Sequence, residues 1–150
     1  MNPDLSVIMP VHNAARFLAN SISSVLDQSY PNFEFLICDD ASTDATPEIL
    51  ANWAQRDQRI KLLRNESNLN VAASLNRLIS AAKGDMLIRM DGDDICYHDR
   101  FEAQRECMKS GNYDIIVAHA NGVDEDGNLI WRIHTRPLAD LLRLLGTTSA

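Results

Sequence analysis

Short apolar runs alternate with longer amphipathic segments along this chain. The runs predict five β-strands, at residues 5–10, 33–38, 60–63, 86–90 and 114–118, and the segments between them are predicted as helices. Strands that alternate with helices in this way form a parallel sheet with helices on both faces and right-handed crossovers. We therefore predict an α/β fold in which ligands bind beyond the carboxyl ends of the strands, where the strand order reverses.

Local sequence signals predict where the helices begin and end. Asn13 is a candidate cap for the first helix and Thr46 for the second. Gly84 is a stop signal after the third helix, and the fourth is predicted over about 98–109. Asn70 precedes the third helix at a position where we expect a positive φ, a conformation that asparagine tolerates.

The last part of the chain is predicted as a hairpin followed by a helix. Asp126, Gly127 and Asn128 are typical of a hairpin turn, and they lead into a strand at 129–133. A final apolar segment at 138–145 is predicted as a helix. We expect the 150 residues to form a single domain, since a chain of this length buries roughly two-thirds of its unfolded surface.

Three carboxylates surround one glycine directly after the fourth predicted strand: Asp91, Asp93 and Asp94 around Gly92. Carboxylates at this density repel one another, so the pattern indicates a divalent cation. We expect Gly92 to allow a tight turn and to keep the space for a ligand free of a side chain. The alternative is a solvated acidic turn that caps the next helix, in which Asp94 would have no further role.

Further candidate binding residues lie at the ends of the first two predicted strands, namely Pro10, His12, Asn13, Asp39 and Asp40. Because the carboxyl ends of parallel strands meet at one edge of a sheet, we expect these residues near the acidic cluster. Asp40 could accept a hydrogen bond from a base N–H, and His12 could stack on a base. The alternatives are turn and cap chemistry for the aspartates and an ordinary loop histidine.

No glycine-rich phosphate loop of the GxGxxG or GxxxxGK[ST] type is present in the sequence. A phosphate-bearing ligand would therefore be neutralised by a divalent cation, and Mg²⁺ or Mn²⁺ suits carboxylate and diphosphate oxygens. Asp93 would be the inner ligand, with Asp91 either a second ligand or an acceptor for a sugar hydroxyl. An ion held there could stabilise a leaving diphosphate.

Charge and cysteine content indicate which partners the chain can bind and in which cellular compartment we expect it. The net charge of −7 argues against a nucleic-acid partner, which would need a basic face. Cys38, Cys96 and Cys107 lack CxxC spacing, so we expect buried, reduced thiols in a cytoplasmic protein. We expect no signal peptide, and no apolar run approaches the roughly 20 residues of a membrane span.

Several motifs follow one another in order between residues 5 and about 105. They are LSVIMPVHN at 5–13, DDASTD at 39–44, Asn68, LNR at 75–77, AKGD at 82–85, MDGDD at 90–94, Arg100 and Gln104. In this order and spacing the motifs resemble the nucleotide-binding half of family 2 glycosyltransferases, which have the GT-A fold.

The resemblance implies a Rossmann-like three-layer fold and transfer of a sugar, with inversion, from a nucleotide diphosphate sugar to an acceptor hydroxyl. It implies a donor that is often UDP-linked and an acceptor that is a saccharide or a lipid-linked saccharide, as in polysaccharide biosynthesis at the cell envelope. It also implies a divalent metal, Mn²⁺ or Mg²⁺, on Asp93 with Asp91. The donor contacts that it implies are Pro10, His12, Asn13, Asp39, Asp40, Asn68 and Asp91.

Two features depart from the family. Asn70 stands where a glycine is common after Asn68. In the family, the segment that here runs from 114 to 150 is followed by an acceptor-binding half with the catalytic general base, for which this chain offers no candidate. We expect a truncated gene product, a crystallised fragment or a stand-alone donor-binding module.

Two other functions were weighed against sugar transfer. A non-catalytic nucleotide-sugar-binding or assembly module is the alternative, and in it the apolar segment at 138–145 could mediate a homo-oligomer. A signalling receiver domain would need an acid pair after the first strand, where this chain has Pro10, Val11 and His12. The sequence therefore argues against a receiver domain.

Overall fold

A computed structural model of the chain describes residues 3–111, 113–124 and 128–133. The chain falls into two compact units, one up to Lys109 and the other from Ser110 onward. Each unit has its own sheet, of four strands in the first and of two strands in the second. In the parts of the chain that the structure describes, no helix combines the length and the apolar character that crossing a membrane requires.

The first unit alternates strands and helices, as predicted. Its strands are β1 (Leu5–Val11), β2 (Phe33–Asp39), β3 (Ile60–Arg64) and β4 (Met86–Arg89), and its helices are α1 (Leu18–Leu26), α2 (Thr46–Arg56), α3 (Asn70–Ala81) and α4 (Arg100–Ser110). The strands pair in parallel in the order β3-β2-β1-β4. The strand order therefore reverses at β1, which has β2 on one side and β4 on the other.

Helices cover both faces of this sheet. The larger core packs Leu18 and Ile22 of α1, Leu50 of α2 and Phe101 of α4 against one face. On the opposite face Leu78 of α3 packs against Ile8, Leu36 and Cys38. The fold is thus a Rossmann-like three-layer sandwich, and the predicted fold class is confirmed.

The fourth strand, predicted at 86–90, ends at Arg89 in the structure, and the fifth is absent from its predicted position. β4 lies at the edge of the described four-stranded sheet, so only Ile88 in it is buried and Leu87 is about half exposed. The strand predicted at 114–118 is wrong, because those residues form no strand. The chain enters the next strand later, at β5 (Ala120–Val123).

A hairpin forms the sheet of the second unit. β5 pairs antiparallel with β6 (Leu129–Ile133), as the predicted hairpin requires. Two hydrogen bonds join the residues on either side of the turn. Asp124 N–H donates to Asn128 O, and Asp124 Oδ1 accepts from Asn128 N–H. The predicted turn residues Asp126 and Gly127 lie outside the described residues, and so does the helix predicted at 138–145.

The predicted helix caps are wrong for the first two helices. α1 begins only at Leu18, and Asn13 instead accepts from Thr43 N–H (2.8 Å) in the turn after β1, where its φ is 50°. At α2, Asp44 Oδ1 accepts from the N–H of Thr46 (2.9 Å), so Asp44 makes the bond expected of a cap. A polar residue near a helix start can thus bind another loop.

The third and fourth helices follow their signals more closely. Asn70 has the predicted positive φ, 71°, and its Oδ1 accepts from the N–H groups of Ala72 (3.0 Å) and Ala73 (3.2 Å). This side chain therefore caps α3 while it tolerates the left-handed backbone. α4 begins at Arg100, two residues after the predicted start.

The cysteines agree with the prediction at two of three positions. Cys38 and Cys96 are buried thiols, whereas Cys107 on α4 is exposed. Burial raises the pKa of both buried thiols.

Gly84 serves a different purpose from the predicted helix stop. A Cβ atom at this position would lie 2.6 Å from the carbonyl carbon of Leu5 and 2.7 Å from Ser6 N. The Gly84 N–H also donates to Ser6 Oγ (2.8 Å), which in turn donates to the buried carboxylate of Glu34 (2.7 Å). Glycine is therefore required here because the chain passes directly against the backbone of β1.

We expect Gly84→Ala to lower the free energy of unfolding by about 2–3 kcal/mol, since the added methyl group meets backbone that cannot rotate away. Urea denaturation measures the change. Lys83→Ala is the matched control because Lys83 is exposed, and it should stay within about 0.5 kcal/mol of the parent chain. Equal stability of Gly84→Ala and the parent would contradict the close approach.

Candidate functional site

The carboxyl ends of β1, β2 and β4 meet at one edge of the four-stranded sheet. Asp40 N–H donates to Val11 O (2.8 Å), and Met90 N–H donates to Ile8 O (3.0 Å). These bonds place the residues that follow β2 and β4 on the two sides of the end of β1. The structure therefore brings together the polar clusters that the sequence placed at this edge.

Gly92 packs directly against the end of β1. A Cβ atom at Gly92 would lie 2.7 Å from Val11 Cγ1 and 3.5 Å from Ala14 Cβ. Glycine is needed here because Val11 occupies the space that a Cβ atom would fill, and the predicted space for a ligand stays a prediction. The close contact fixes residues 91–94 beside the residues that follow β1.

Asp39 is a buried carboxylate with one unused oxygen. Its side chain is only 4% exposed, and its Oδ1 accepts from Ser42 N–H (3.0 Å). Its Oδ2 lies 3.4 Å from Arg64 Nε, close enough for charge attraction but without a hydrogen bond, and it has no hydrogen-bond partner among the described residues. A buried acceptor of this kind is costly unless a ligand supplies the donor.

Asp40, by contrast, is used within the protein. Its Oδ1 accepts from Asn65 Nδ2 (2.6 Å) and from Leu69 N–H (2.9 Å). Burial alone would raise the pKa of Asp40, but these bonds and that of Ser74 outweigh it and lower the pKa. Asp40 therefore holds the segment after β3 in place as an ionised anchor.

Asn65 is a buried residue of this network that sequence analysis missed. It is 2% exposed, and besides Asp40 it donates to Ser74 Oγ (2.9 Å) and accepts from Arg77. The available signal was its position: a polar residue directly after the predicted third strand, as Asp39 and Asp40 are after the second. Sequence analysis treated that position only as a strand boundary.

An open cavity of about 480 Å³ lies between the segments that follow β2 and β3. Its lining consists of Ala41, Ser42, Thr43, Arg64, Asn65 and Glu66. Ser42 and Arg64 are also the two residues that flank the carboxylate of Asp39. The cavity and the unused oxygen of Asp39 thus share two neighbours.

His12 and Asn13 form a hydrogen-bonded turn after β1. His12 Nδ1 lies 2.8 Å from Asp40 O, and its Nε2 lies 3.2 Å from Asn13 Nδ2. Asn13 Oδ1 accepts from Thr43 N–H, so its amide NH₂ must face the histidine. His12 is then the neutral Nδ1–H tautomer, with an exposed ring held in a fixed orientation.

The other predicted donor contacts differ in their surroundings. Pro10 is half-buried in β1, where it pairs with Cys38 of β2. Asn68 is exposed, and its Oδ1 accepts from Asn70 N–H (3.0 Å). Asn68 therefore shapes the turn before α3, and its predicted contact with a donor stays a prediction.

The three carboxylates of residues 91–94, which we call the acidic loop, differ in their surroundings. Asp91 pairs with Arg89, whose Nη2 lies 3.0 Å from Oδ1 and 3.1 Å from Oδ2. Asp93 is exposed. Partial desolvation, followed by the charges of Asp93 and Asp91, raises the pKa of Asp94. Asp91 and Asp93 therefore lie close enough to Asp94 for their charges to act on it.

These residues fit a divalent cation only in the company of further ligands. The described residues contain no group of three or more histidine, cysteine or acidic side chains arranged to hold a metal. Mg²⁺ and Mn²⁺ bound with a nucleotide diphosphate need only one or two carboxylates, since phosphate oxygens and waters complete the shell. Among the described residues Asp93 has no ion-pair partner, whereas Asp91 is paired with Arg89. The donor set therefore fits an ion that arrives with a diphosphate.

Comparison with known proteins places the chain in a family. A family model described as glycosyl transferase family 2 matches residues 6–148. The chain is 44% identical over 127 residues to the putative glycosyltransferase EpsE of Bacillus subtilis, covering 83% of this chain and 46% of EpsE. It is 40% identical over 119 residues to the Escherichia coli UDP-Glc:alpha-D-GlcNAc-diphosphoundecaprenol beta-1,3-glucosyltransferase WfgD, covering 75% of this chain and 46% of WfgD.

A solved structure agrees with this placement. The mannosyltransferase PcManGT from Pyrobaculum calidifontis, in complex with GDP-Man and Mn²⁺, superposes with a TM-score of 0.59 at 27% identity. The match covers 63% of this chain and 29% of PcManGT. The chain spans about half the length of EpsE and WfgD.

Proposed function

This chain belongs to glycosyl transferase family 2, and from that premise we propose that it forms the donor-binding part of a sugar-transferring enzyme. The donor is a UDP-linked sugar, the acceptor is a hydroxyl of a saccharide or lipid-linked saccharide, and the anomeric carbon is inverted. The relation to WfgD, a glucosyltransferase named for UDP-Glc and a diphosphoundecaprenol-linked GlcNAc, supports this choice of donor and acceptor.

The unused oxygen of Asp39 is the observation that carries the proposal. Uracil presents a single imide N–H between two carbonyl groups, so it needs one acceptor, and Asp39 Oδ2 is a single buried acceptor. Guanine presents two parallel donors and would use both carboxylate oxygens, of which Oδ1 already accepts from Ser42. We therefore move the base contact from Asp40 to Asp39, with the base in the cavity that Ser42 and Arg64 line.

The acidic loop takes the diphosphate end of the donor. Asp93 would hold a divalent cation, Mn²⁺ or Mg²⁺, together with the phosphate oxygens, and the presence of Mn²⁺ beside GDP-Man in the PcManGT complex supports this. When bound, the ion stabilises the negative charge that develops on the leaving UDP. Asp91, already neutralised by Arg89, is better placed to accept from a sugar or ribose hydroxyl than to be a second metal ligand.

A nucleotide panel tests the base and metal assignments together. By isothermal titration we expect UDP with Mn²⁺ to bind at least about tenfold more tightly than GDP with Mn²⁺, since guanine would face an occupied acceptor. We also expect chelation of Mn²⁺ to weaken the binding of UDP more than the binding of UMP, because the metal would contact the diphosphate. Equal affinities for UDP and GDP, or an affinity for UDP that is the same with and without Mn²⁺, would contradict the proposal.

The alternative of a non-catalytic binding module gives the same titration. Release or transfer of a labelled sugar from a UDP-sugar separates the two, because a module that only binds would leave the donor intact. We expect any such transfer to depend on the same residues that bind UDP.

A further inference from the structure

The segment that carries Asp91 and Asp93, residues 90–99, forms neither helix nor strand. Without a ladder of its own, such a segment depends on other groups to satisfy its backbone N–H and C=O groups. Those groups also determine where its side chains lie. Much of this role belongs to polar side chains on and just after α1.

Ser21 and Ser24 lie on α1, and Gln28 follows its end. Their spacing of three and four residues places them in a row along one side of the helix. Ser21 is 1% exposed and Gln28 is 6% exposed, so these two are buried, and Ser24 is half-buried between them. Buried polar side chains cost free energy unless they are hydrogen-bonded, which makes their partners informative. We refer to these three residues as the α1 polar row.

The first two members of the row hold the beginning and middle of the acidic segment. Ser21 Oγ donates to Asp91 O (3.1 Å). Cys96 N–H donates to Ser24 Oγ (3.0 Å), which itself donates to Ser21 O (2.8 Å). Each hydroxyl thus binds the backbone of this segment. Ser21 does so at Asp91, which is itself a predicted donor contact.

The third member holds the end of the segment. Gln28 Nε2 donates to Tyr97 O (2.7 Å), and Gln28 Oε1 accepts from Phe101 N–H (3.0 Å) in the first turn of α4. A single amide therefore joins the end of the segment to the helix that follows. Glutamine suits this position because it offers a donor and an acceptor on one planar group.

Arg100 closes the segment at a second place. Its Nη2 donates to Arg89 O (3.1 Å) at the end of β4, and its Nη1 lies 3.3 Å from Cys96 Sγ. The two ends of the carboxylate-bearing stretch are thus linked through one guanidinium, while the α1 polar row holds the backbone between them.

We propose that Ser21, Ser24 and Gln28 are positioning residues that hold Asp91 and Asp93 in register with the donor diphosphate, an inference that rests on the proposed function. In this role they act through the backbone of residues 91–101, to which all three are hydrogen-bonded. Two side chains of α1 and one just after its end bind this segment at its start, middle and end, which is more than packing of the helix alone requires. A displacement of about 1 Å at a reacting group is enough to lose much of its effect.

The test compares Gln28→Met and Ser24→Ala with Ser23→Ala, a serine on the same helix that is exposed. Methionine keeps the volume of glutamine but offers neither the N–H donors nor the carbonyl acceptor. We expect both row variants to weaken UDP binding in the presence of Mn²⁺ by about tenfold, while UMP binding without metal changes less than about twofold. Ser23→Ala should change neither affinity.

Two outcomes of the titrations would overturn the proposal: equal loss of UDP and UMP affinity, which indicates general damage to the fold, or no loss of either. Amide hydrogen exchange without any ligand gives an independent measurement. Protection of residues 94–101 should fall in Gln28→Met and stay unchanged in Ser23→Ala, and unchanged protection in Gln28→Met overturns the positioning role. If the parent chain fails to bind UDP with Mn²⁺, the proposed function fails, and the exchange result still decides whether the row holds the segment.

Discussion

Asp93→Asn should weaken Mn²⁺-dependent binding of UDP by about a hundredfold, the largest effect that we expect from any single substitution in the acidic loop. Asparagine keeps the size of the side chain but removes the negative charge that would hold the ion against the diphosphate. The effect should nearly vanish when UDP is titrated without Mn²⁺, because the base and ribose contacts are untouched. Isothermal titration with and without Mn²⁺ measures both affinities.

Asp85→Asn provides the control for charge alone. Asp85 is also exposed, but it precedes β4 and so lies at the other end of that strand from the acidic loop. We expect its UDP affinity to match that of the parent chain. If Asp93→Asn bound UDP with Mn²⁺ as tightly as the parent, the metal role of Asp93 would be lost, while the base contact of Asp39 would stand.

The architecture of the first unit was predictable because apolar runs and helical spacing are local properties. Each of β1, β2 and β3 lies where its run predicts, and alternation with helices is enough to imply a parallel sheet. The strand predicted at 114–118 failed because an apolar run does not specify its partner. A strand exists only where another pairs with it, and the pairing here begins at Ala120.

The helix caps failed for a related reason. Asn13 has a side chain well suited to capping, but the backbone N–H groups nearest to it belong to the loop at Thr43, not to α1. Sequence shows that a polar side chain is available, and only the tertiary fold decides which donor it meets. The same limit applies to glycine: Gly84 and Gly92 were recognised as necessary, but the reason in each case is a neighbouring part of β1.

At the candidate site, sequence analysis placed the polar clusters at one edge of the sheet, as the structure does, but it could not tell which hydrogen bonds each residue makes there. Asp39 and Asp40 are adjacent and chemically identical, so no pattern distinguishes the one with a free oxygen from the one that anchors Asn65. The α1 polar row was invisible because isolated serines and a glutamine on a helix are typical of a solvated face. Their burial depends on the acidic segment that packs over them.

Asp39→Asn should weaken UDP binding by about ten- to a hundredfold, whether or not Mn²⁺ is present. The substitution can keep the bond from Ser42 N–H through the remaining carbonyl oxygen, but it places an NH₂ group where the uracil imide would donate. The Arg64 side chain that faces Asp39 Oδ2 at 3.4 Å is 63% exposed, so loss of this weak ion pair should lower the free energy of unfolding by no more than about 1 kcal/mol. Titration with UDP and urea denaturation give the two quantities.

Asp40→Asn is the matched substitution at the next residue, and we expect the opposite pattern. The amide oxygen of asparagine can still accept from Asn65 and Leu69, but it carries no charge to strengthen these buried bonds, so the free energy of unfolding should fall by about 1–2 kcal/mol. The pKa of Asp40 is lowered in the folded chain, so its contribution is present above the unfolded pKa and is lost as the pH falls through the folded pKa. The stability difference between the parent and Asp40→Asn should therefore narrow from about pH 7 to about pH 3.5. If Asp40→Asn instead kept full stability and lost UDP binding, the base contact would belong to Asp40.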